Sequence, residues 1–245
     1  MQPDQIDKAW RVASKCEQCA IRSLVLFADL TKEDFDLLHY PIHELNFATG
    51  ETLYNQGDKP EAIYTVRSGL VKLVSYLSDG SFRIVRILRQ GDVVGLEALD
   101  NKNYLHHAVI LESASFCRLP VGEIKELNDN SPHLFKQLTA RWQRVISDAD
   151  TWLSKLTSGF AKQRVAHLLI YLSQDCQSTQ CYLPGREDMG ALLAITTETA
   201  SRVIAEFKRK GFIKLVSPHQ AIIDQEALVA IIQGDEEDPS AQNQR

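Results

Sequence analysis

Two small groups of residues in this chain have the types and spacing for chemistry. Glu198, Ser201 and Arg202 stand at i, i+3 and i+4 within DMGALLAITTETASRVIAEFKRKGF, from Asp188 to Phe212. On a helix they share one face of two turns. An acceptor, a hydroxyl and a guanidinium side by side suit the edges of bases in a major groove. The other group is Cys16-x-x-Cys19, whose spacing lets two thiolates reach one metal or cluster from a tight loop. With Cys117, Cys176 and Cys181 the chain has five cysteines, an odd and unevenly spread set. That pattern argues against a disulfide framework and for thiol or metal chemistry. The histidines, at 39, 43, 106, 107, 133, 167 and 219, form no H-x-H strand pair. No nucleophile–base constellation or phosphate loop accompanies them, so the chain does not read as an enzyme.

The flanking residues must hold Glu198, Ser201 and Arg202 in place. Met189, Leu192 and Leu193 give a short first helix its apolar face, Ala194 and Ile195 turn the corner, and Thr196 or Thr197 can cap a second helix. Val203, Ile204 and Phe207 point inward from that helix, which collects Lys208, Arg209 and Lys210 before Gly211 ends it. Ile213 to Val216, a Ser217-Pro218-His219-Gln220 turn and Ala221 to Ile223 form a hairpin wing. Net charge is −5, yet between Thr196 and Lys214 five Lys/Arg face only Glu198 and Glu206. This local basic stripe is the footprint that matters for phosphate, since salt screens remote charge.

Upstream, Ile6, Trp10 and Val12 open a short helical pattern, and residues from Ile42 to about Pro120 switch to period-two strands broken by glycines. Ile63–Val66 and Val71–Leu77 read as separate strands around Ser68-Gly69, and Val109–Leu111 and Phe116–Pro120 as closing strands of a β jelly-roll. Leu138, Trp142, Val145, Ala149, Trp152 and Leu156 then repeat at 4, 3, 4, 3, 4, the seam of a two-stranded coiled coil, with Ile146 and Leu153 turned to the barrel. After Ser158-Gly159 come a helix from Arg164 to Leu172 and a polar loop from Cys176 to Cys181. The expected fold is α+β: a sensory β-barrel over 1–130, a dimerisation helix over 131–158, a winged helix-turn-helix over 159–233 and a disordered acidic tail over 234–245. No apolar run is long enough to span a bilayer, and MQPDQIDKAW lacks a secretory pattern, so the expected location is cytoplasmic, with no membrane partner.

In that order these parts resemble the CRP/FNR family of bacterial transcription regulators, with its cyclic-nucleotide-binding-like jelly-roll. The resemblance covers about residues 16 to 230 and rests on Gly50-Glu51, Gln56-Gly57-Asp58, Ser68-Gly69, Gly91-Asp92-Val93-Val94-Gly95 and Glu198-Thr-Ala-Ser201-Arg202. Cyclic-AMP binders in the family place an acidic residue after the last glycine of the barrel turn and an Arg-Ser pair further on. Here Leu96 and His106-His107 stand at those places, which argues against cyclic AMP. The E-x-x-S-R pattern resembles the FNR branch. It implies a homodimer on a TTGAT-type inverted repeat of double-stranded DNA, with Arg202 on guanine, Glu198 on cytosine, Ser201 near thymine, Thr197 beside them, and Lys208 and Lys214 on phosphates. It also implies RNA polymerase as a partner.

FNR-type sensors hold a [4Fe-4S] cluster on C-x2-C-x5-C and one distant cysteine. Cys16, Cys19 and Cys117 match three of those positions, and Val25 occupies the other. A non-cysteine fourth ligand, with Asp29 and Glu17 as nearby oxygen donors, would complete a cluster. A thiol redox sensor or the remnant of a lost cluster site are the alternatives, as are haem or nitric oxide chemistry at His106 and His107, another small ligand, or no effector. Cys176 and Cys181 take no role. Where oxygen-sensing relatives carry an acidic residue on the dimer helix this chain has Ala149, which implies dimerisation without a cofactor.

Overall fold

Where apolar and polar residues alternate between 43 and 120, the chain forms antiparallel strands. The computed structural model describes residues 43–100, 103–173 and 180–234. The strands are β1 (His43–Phe47), β2 (Thr52–Tyr54), β3 (Ala62–Tyr76), β4 (Phe82–Leu88), β5 (Val93–Val94) and β6 (His107–Pro120). They make one six-stranded sheet in the order β1-β6-β3-β4, with β2 added to β6 and β5 to β3. Its buried face holds Ile63, Val66, Val71, Ile110 and Phe116, and Phe116 meets the rings of Phe47 and Tyr64 edge-on.

β3 and β6 are each continuous, where the sequence suggested two strands apiece. Ser68-Gly69 is not a break but a bulge, with register shifts between Val66 and Val71. Gly69 has φ +81°, and a Cβ there would lie 2.3 Å from the Ser113 carbonyl oxygen of the paired strand. Only glycine fits so close a backbone approach.

Helices α1 (Val121–Asn130) and α2 (Pro132–Thr151) follow, and α2 runs into a π-helical turn, Trp152–Leu156. Ile124, Leu127, Leu134 and Leu138 complete the barrel core. The chain divides into two compact units at Ile146/Ser147, inside α2 rather than at Gly159. The second unit contains α3 (Ala161–Ser173), β7 (Gln180–Tyr182), α4 (Arg186–Leu193), α5 (Thr197–Arg209), β8 (Ile213–Ser217), β9 (Gln220–Ile223) and α6 (Gln225–Gln233). Its sheet runs β7-β9-β8, and Val165, Leu169, Met189, Ile204, Phe207 and Leu228 fill its core.

Three expectations need correction. The seam is out of phase: Leu138 is buried in the barrel core with Val145 packed against it, Trp152 is covered and meets Tyr171 edge-on, and Leu156 is buried. Only Trp142 and Ala149 of the expected seam are exposed. Ile146 and Leu153, expected against the barrel, are instead 54% and 67% exposed. The apolar stripe left open is Phe135, Trp142, Ile146, Ala149 and Leu153, with Thr139 completing the same heptad spacing one position later. The inner stripe is taken by the chain's own cores, so its neighbour faces outward. Secondly, β7 and α6 were not foreseen. Thirdly, Cys181 is not a loop thiol, because β7 pairs it with Ala221 of β9 and buries it. Cys176, the 1–42 segment and the tail from 235 lie outside the described residues.

Candidate nucleic-acid interface

The exposed face of α5 is set by what holds its inner face. Val203, Ile204 and Phe207 are buried, which turns Thr197, Glu198, Ser201 and Arg202 outward. Of the two candidate caps, Thr196 does the work: its hydroxyl accepts from the Thr199 amide at 3.1 Å. Thr197 is left as the first helical residue with its side chain free for a ligand. Arg202 and Glu198 form an i,i+4 ion pair at 3.1 Å, with side chains 72% and 77% exposed. So open a pair is weak, on the order of 0.3–0.5 kcal/mol, and orients both groups without locking them. Lys208 at the end of α5 and Lys214 on β8 are exposed as well. The structure therefore presents all six predicted contact residues to solvent on α5 and the wing strand that follows it.

The corner between α4 and α5 depends on Gly190, which has no role in the sequence pattern, and on the conformation of Ala194, which the sequence places at the turn. A Cβ on Gly190 would lie 2.8 Å from the Ile195 carbonyl oxygen, so the absence of a side chain sets how closely the turn folds back on α4. Ala194 takes φ +56°, and among the described residues it is the one non-glycine with positive φ. Held by an alanine, that left-handed corner stores about 1–2 kcal/mol of strain. Behind α5, Glu206 accepts from Lys162 of α3 at 3.0 Å and pairs with Lys210 at 3.4 Å. The spacing of Glu206 and Lys210 is legible in sequence, but Lys162 comes from another element.

The sensor residues are less complete. Cys16, Cys19, Glu17, Val25 and Asp29 lie outside the described residues. Cys117 is half-buried on β6, opposite Glu44 of β1 and Thr65 of β3. Among the described residues no three His, Cys, Asp or Glu groups gather to hold a metal. His107 is engaged locally: its Nδ1 lies 3.3 Å from Asn55 Oδ1 and its ring meets Tyr76 edge-on. Burial holds the His106 imidazole below its ordinary pKa, with Glu97 opposing and Arg86 and His107 reinforcing the shift. In the same barrel Tyr54 stacks on Tyr104 at 3.7 Å, and its hydroxyl and Glu97 Oε1 are buried without a protein partner among the described residues. No described helix is long and apolar enough to cross a membrane.

Two family descriptions match the chain: a cyclic nucleotide-binding domain over residues 44–131 and a Crp-like helix-turn-helix domain over 163–231. The transcriptional activator protein Anr of Pseudomonas aeruginosa is 31% identical over 226 residues, covering 89% of this chain and 93% of its own. The fumarate and nitrate reduction regulatory protein of Shigella dysenteriae is 26% identical, with 89% and 90% covered. Among solved structures, FixK2 from Bradyrhizobium japonicum superimposes with a TM-score of 0.70 at 23% identity, over 77% of this chain and 96% of its own. A CRP/FNR-family regulator from Thermus thermophilus does so with a TM-score of 0.64 at 22% identity, over 78% and 98%.

The cluster behind α5 titrates. Burial alone would raise the Glu206 pKa, but Lys162 and Lys210 outweigh it and hold the carboxyl below its ordinary value. A depressed folded pKa contributes stability that is present above the unfolded value and lost as pH falls through the folded one. Wild-type protein should therefore melt above Glu206→Gln near neutral pH, by an amount worth about 1 kcal/mol for a half-buried pair still in reach of solvent. The advantage should be lost as pH falls through the depressed folded-state pKa of Glu206, since both states then carry a neutral side chain. A difference in melting temperature that stays constant with pH would refute this origin.

Proposed function

As the chain belongs to the CRP/FNR family of DNA-binding transcription regulators, we propose that it binds a TTGAT-type inverted repeat as a homodimer and responds to oxygen or redox state through Cys16, Cys19 and Cys117. The observation that carries the DNA half is the exposed Glu198–Arg202 pair on the capped first turns of α5, with Ser201 between them. A guanidinium and a carboxylate held side by side can address the two bases of one G·C pair, Arg202 donating to guanine O6/N7 and Glu198 accepting from cytosine N4. Ser201 lies toward the thymine side, and Lys208 and Lys214 neutralise phosphates without adding sequence information. As in the family's regulators, RNA polymerase is the partner such a complex would recruit or block.

The dimer is supported by the open stripe on α2. Phe135 and Trp142, 61% and 38% exposed, stand in heptad phase with Ile146 and Ala149. Large apolar groups at that spacing favour a partner helix, each burial contributing about 1.5–3 kcal/mol. Ala149 is exposed on this stripe, while the carboxylates of Asp148 and Asp150 flank it. No buried acidic pair then opposes association.

For the sensor, the strand register is the supporting observation. β1, which begins at His43, sets Glu44 opposite Cys117 of β6. Soft thiolates from these three positions suit iron, and Cys16, Cys19 and Cys117 would hold a [4Fe-4S] cluster with a non-cysteine fourth ligand. A cluster there would supply an oxygen-sensitive redox centre. Cyclic AMP is not the effector in this reading, because His106, whose charged form burial disfavours, and Glu97, with one oxygen buried, offer poor company to a cyclic phosphate.

Mobility shifts on TTGAT-N4-ATCAA test the readout. Arg202→Ala or Glu198→Gln should each weaken the matched duplex by about 1–3 kcal/mol, relaxing specificity at one base pair. Lys208→Met or Lys214→Met should weaken matched and scrambled duplexes alike and flatten the salt slope by about one. Equal losses on both duplexes for Arg202→Ala would remove Arg202 from base contact.

Sedimentation tests the stripe. Cofactor-free protein at micromolar concentration should run as a dimer, and Ile146→Glu should run as a monomer, whereas Leu138→Ala should loosen the barrel and leave association in place. A monomeric wild type would overturn the seam. For the sensor, anaerobically purified protein should absorb broadly in the blue and contain iron and sulfide, both lost in Cys117→Ala. A Soret band would point to haem, and a colourless protein to thiols or to no effector.

A further inference from the structure

Three consecutive residues in the first turn of α3 each reach a different part of the DNA-binding unit. Lys162 donates to Glu206 of α5 at 3.0 Å. Gln163 accepts from the Phe160 amide at 3.1 Å and donates to the Ile232 carbonyl of α6 at 3.3 Å. Arg164 makes the most consequential pair: its Nε donates to the Gly159 carbonyl at 2.9 Å and its Nη1 to the Leu193 carbonyl at 3.1 Å.

We infer that Arg164 is a positioning residue for sequence readout, fixing the corner between α4 and α5 against the Gly159 turn that precedes α3, although it lies outside the base-reading face. This rests on the reading of α5 as the base-contacting helix. Leu193 is the last residue of α4, and its carbonyl is one of the helix-end acceptors with no intrahelical donor. A guanidinium there satisfies the acceptor and complements the negative helix end. The next residue is Ala194 in its left-handed conformation, and the residue after that touches Gly190. The corner is thus strained on one side, tightly packed on the other and tied by Arg164 to the Gly159 turn.

Because the guanidinium is planar with donors at fixed separation, it fixes both carbonyls at once, which a lysine ammonium cannot do. Thr196, Thr197 and Glu198 follow the corner directly, so a displacement there passes to the first turn of α5. Base contacts tolerate misplacement of only about 0.5 Å. Phosphate attraction acts over longer range and is insensitive to such a shift. Loss of Arg164 therefore has a signature: discrimination falls while non-specific affinity stays.

The test uses the full chain. Arg164→Lys and Arg164→Ala are compared with wild type by competition mobility shift on the TTGAT-N4-ATCAA duplex and a scrambled one across a salt series, beside thermal unfolding. Arg164→Lys should lower the matched-to-scrambled affinity ratio about tenfold, comparable to the loss of one base-pair contact. Its scrambled-duplex affinity and salt slope should remain those of wild type. Should Arg164→Ala unfold early, Arg164→Lys, which keeps charge and bulk, decides. A wild-type ratio in Arg164→Lys, or a parallel fall on both duplexes, overturns the inference. A wild type that does not discriminate the two duplexes overturns the half-site reading, and the inference with it.

Discussion

A carbon atom on residue 190 would stand 2.8 Å from the Ile195 carbonyl oxygen, and the reading head is built around that missing carbon. With glycine there, the backbone after α4 can fold back closely enough for α5 to start at Thr197 with its cap in place. The close approach forces the corner through Ala194 in a conformation that alanine adopts at a penalty of about 1–2 kcal/mol. Buried Met189, Leu193, Ile204 and Phe207 hold both helices down on the same core and offset that strain. The four exposed residues at the start of α5 are placed by that core and corner, with only the weak Glu198–Arg202 pair to orient two of them.

A chain with net charge −5 can still present a surface to nucleic acid because its charges are segregated. The surplus cations cluster at the end of α5 and on β8, while Glu206, the acid nearest them, is engaged by Lys162 and Lys210. Arg202 is likewise half-neutralised by Glu198 before any DNA arrives. An open i,i+4 pair is worth little in water, so re-aiming its members toward a base pair costs little. In the proposed complex the lysines would supply affinity through phosphates and the re-aimed pair would supply discrimination.

Much of this head was legible in sequence, because helical periodicity, a threonine cap and a glycine stop are local signals. Met189, Leu193, Val203, Ile204 and Phe207 are buried as their spacing required. Less local features escaped. Ser68-Gly69 looks like a turn when read alone, yet it is a bulge whose serine meets Ser115 at 2.8 Å on a strand paired from far along the chain. β7 is three residues long and takes its identity from β9, so nothing within it announces a strand. α6 could have been found: Asp224 caps it by accepting from the Ala227 amide at 3.0 Å, and Gly234 ends it with φ +83°. Arg164 and Lys162 gave no sequence signal, since their partners are distant in the chain.

The seam shows where periodicity alone fails. α2 carries two apolar rows one residue apart, Leu138 and Val145 in one, Trp142 and Ile146 in the other, and both satisfy a heptad. Sequence cannot say which row a chain keeps for itself, because burial in one's own core and burial in a partner demand the same chemistry. The barrel decides by claiming Leu138 and Val145. Once that row is spent, the outward row is the one left open to the partner helix of the proposed dimer. Ala149 belongs to that exposed row, and Asp148 and Asp150 beside it do not. In the proposed dimer, association would then not depend on a cofactor, and a signal at Cys117, part of the proposed sensor, would act on the geometry of the reading heads rather than on the existence of the dimer.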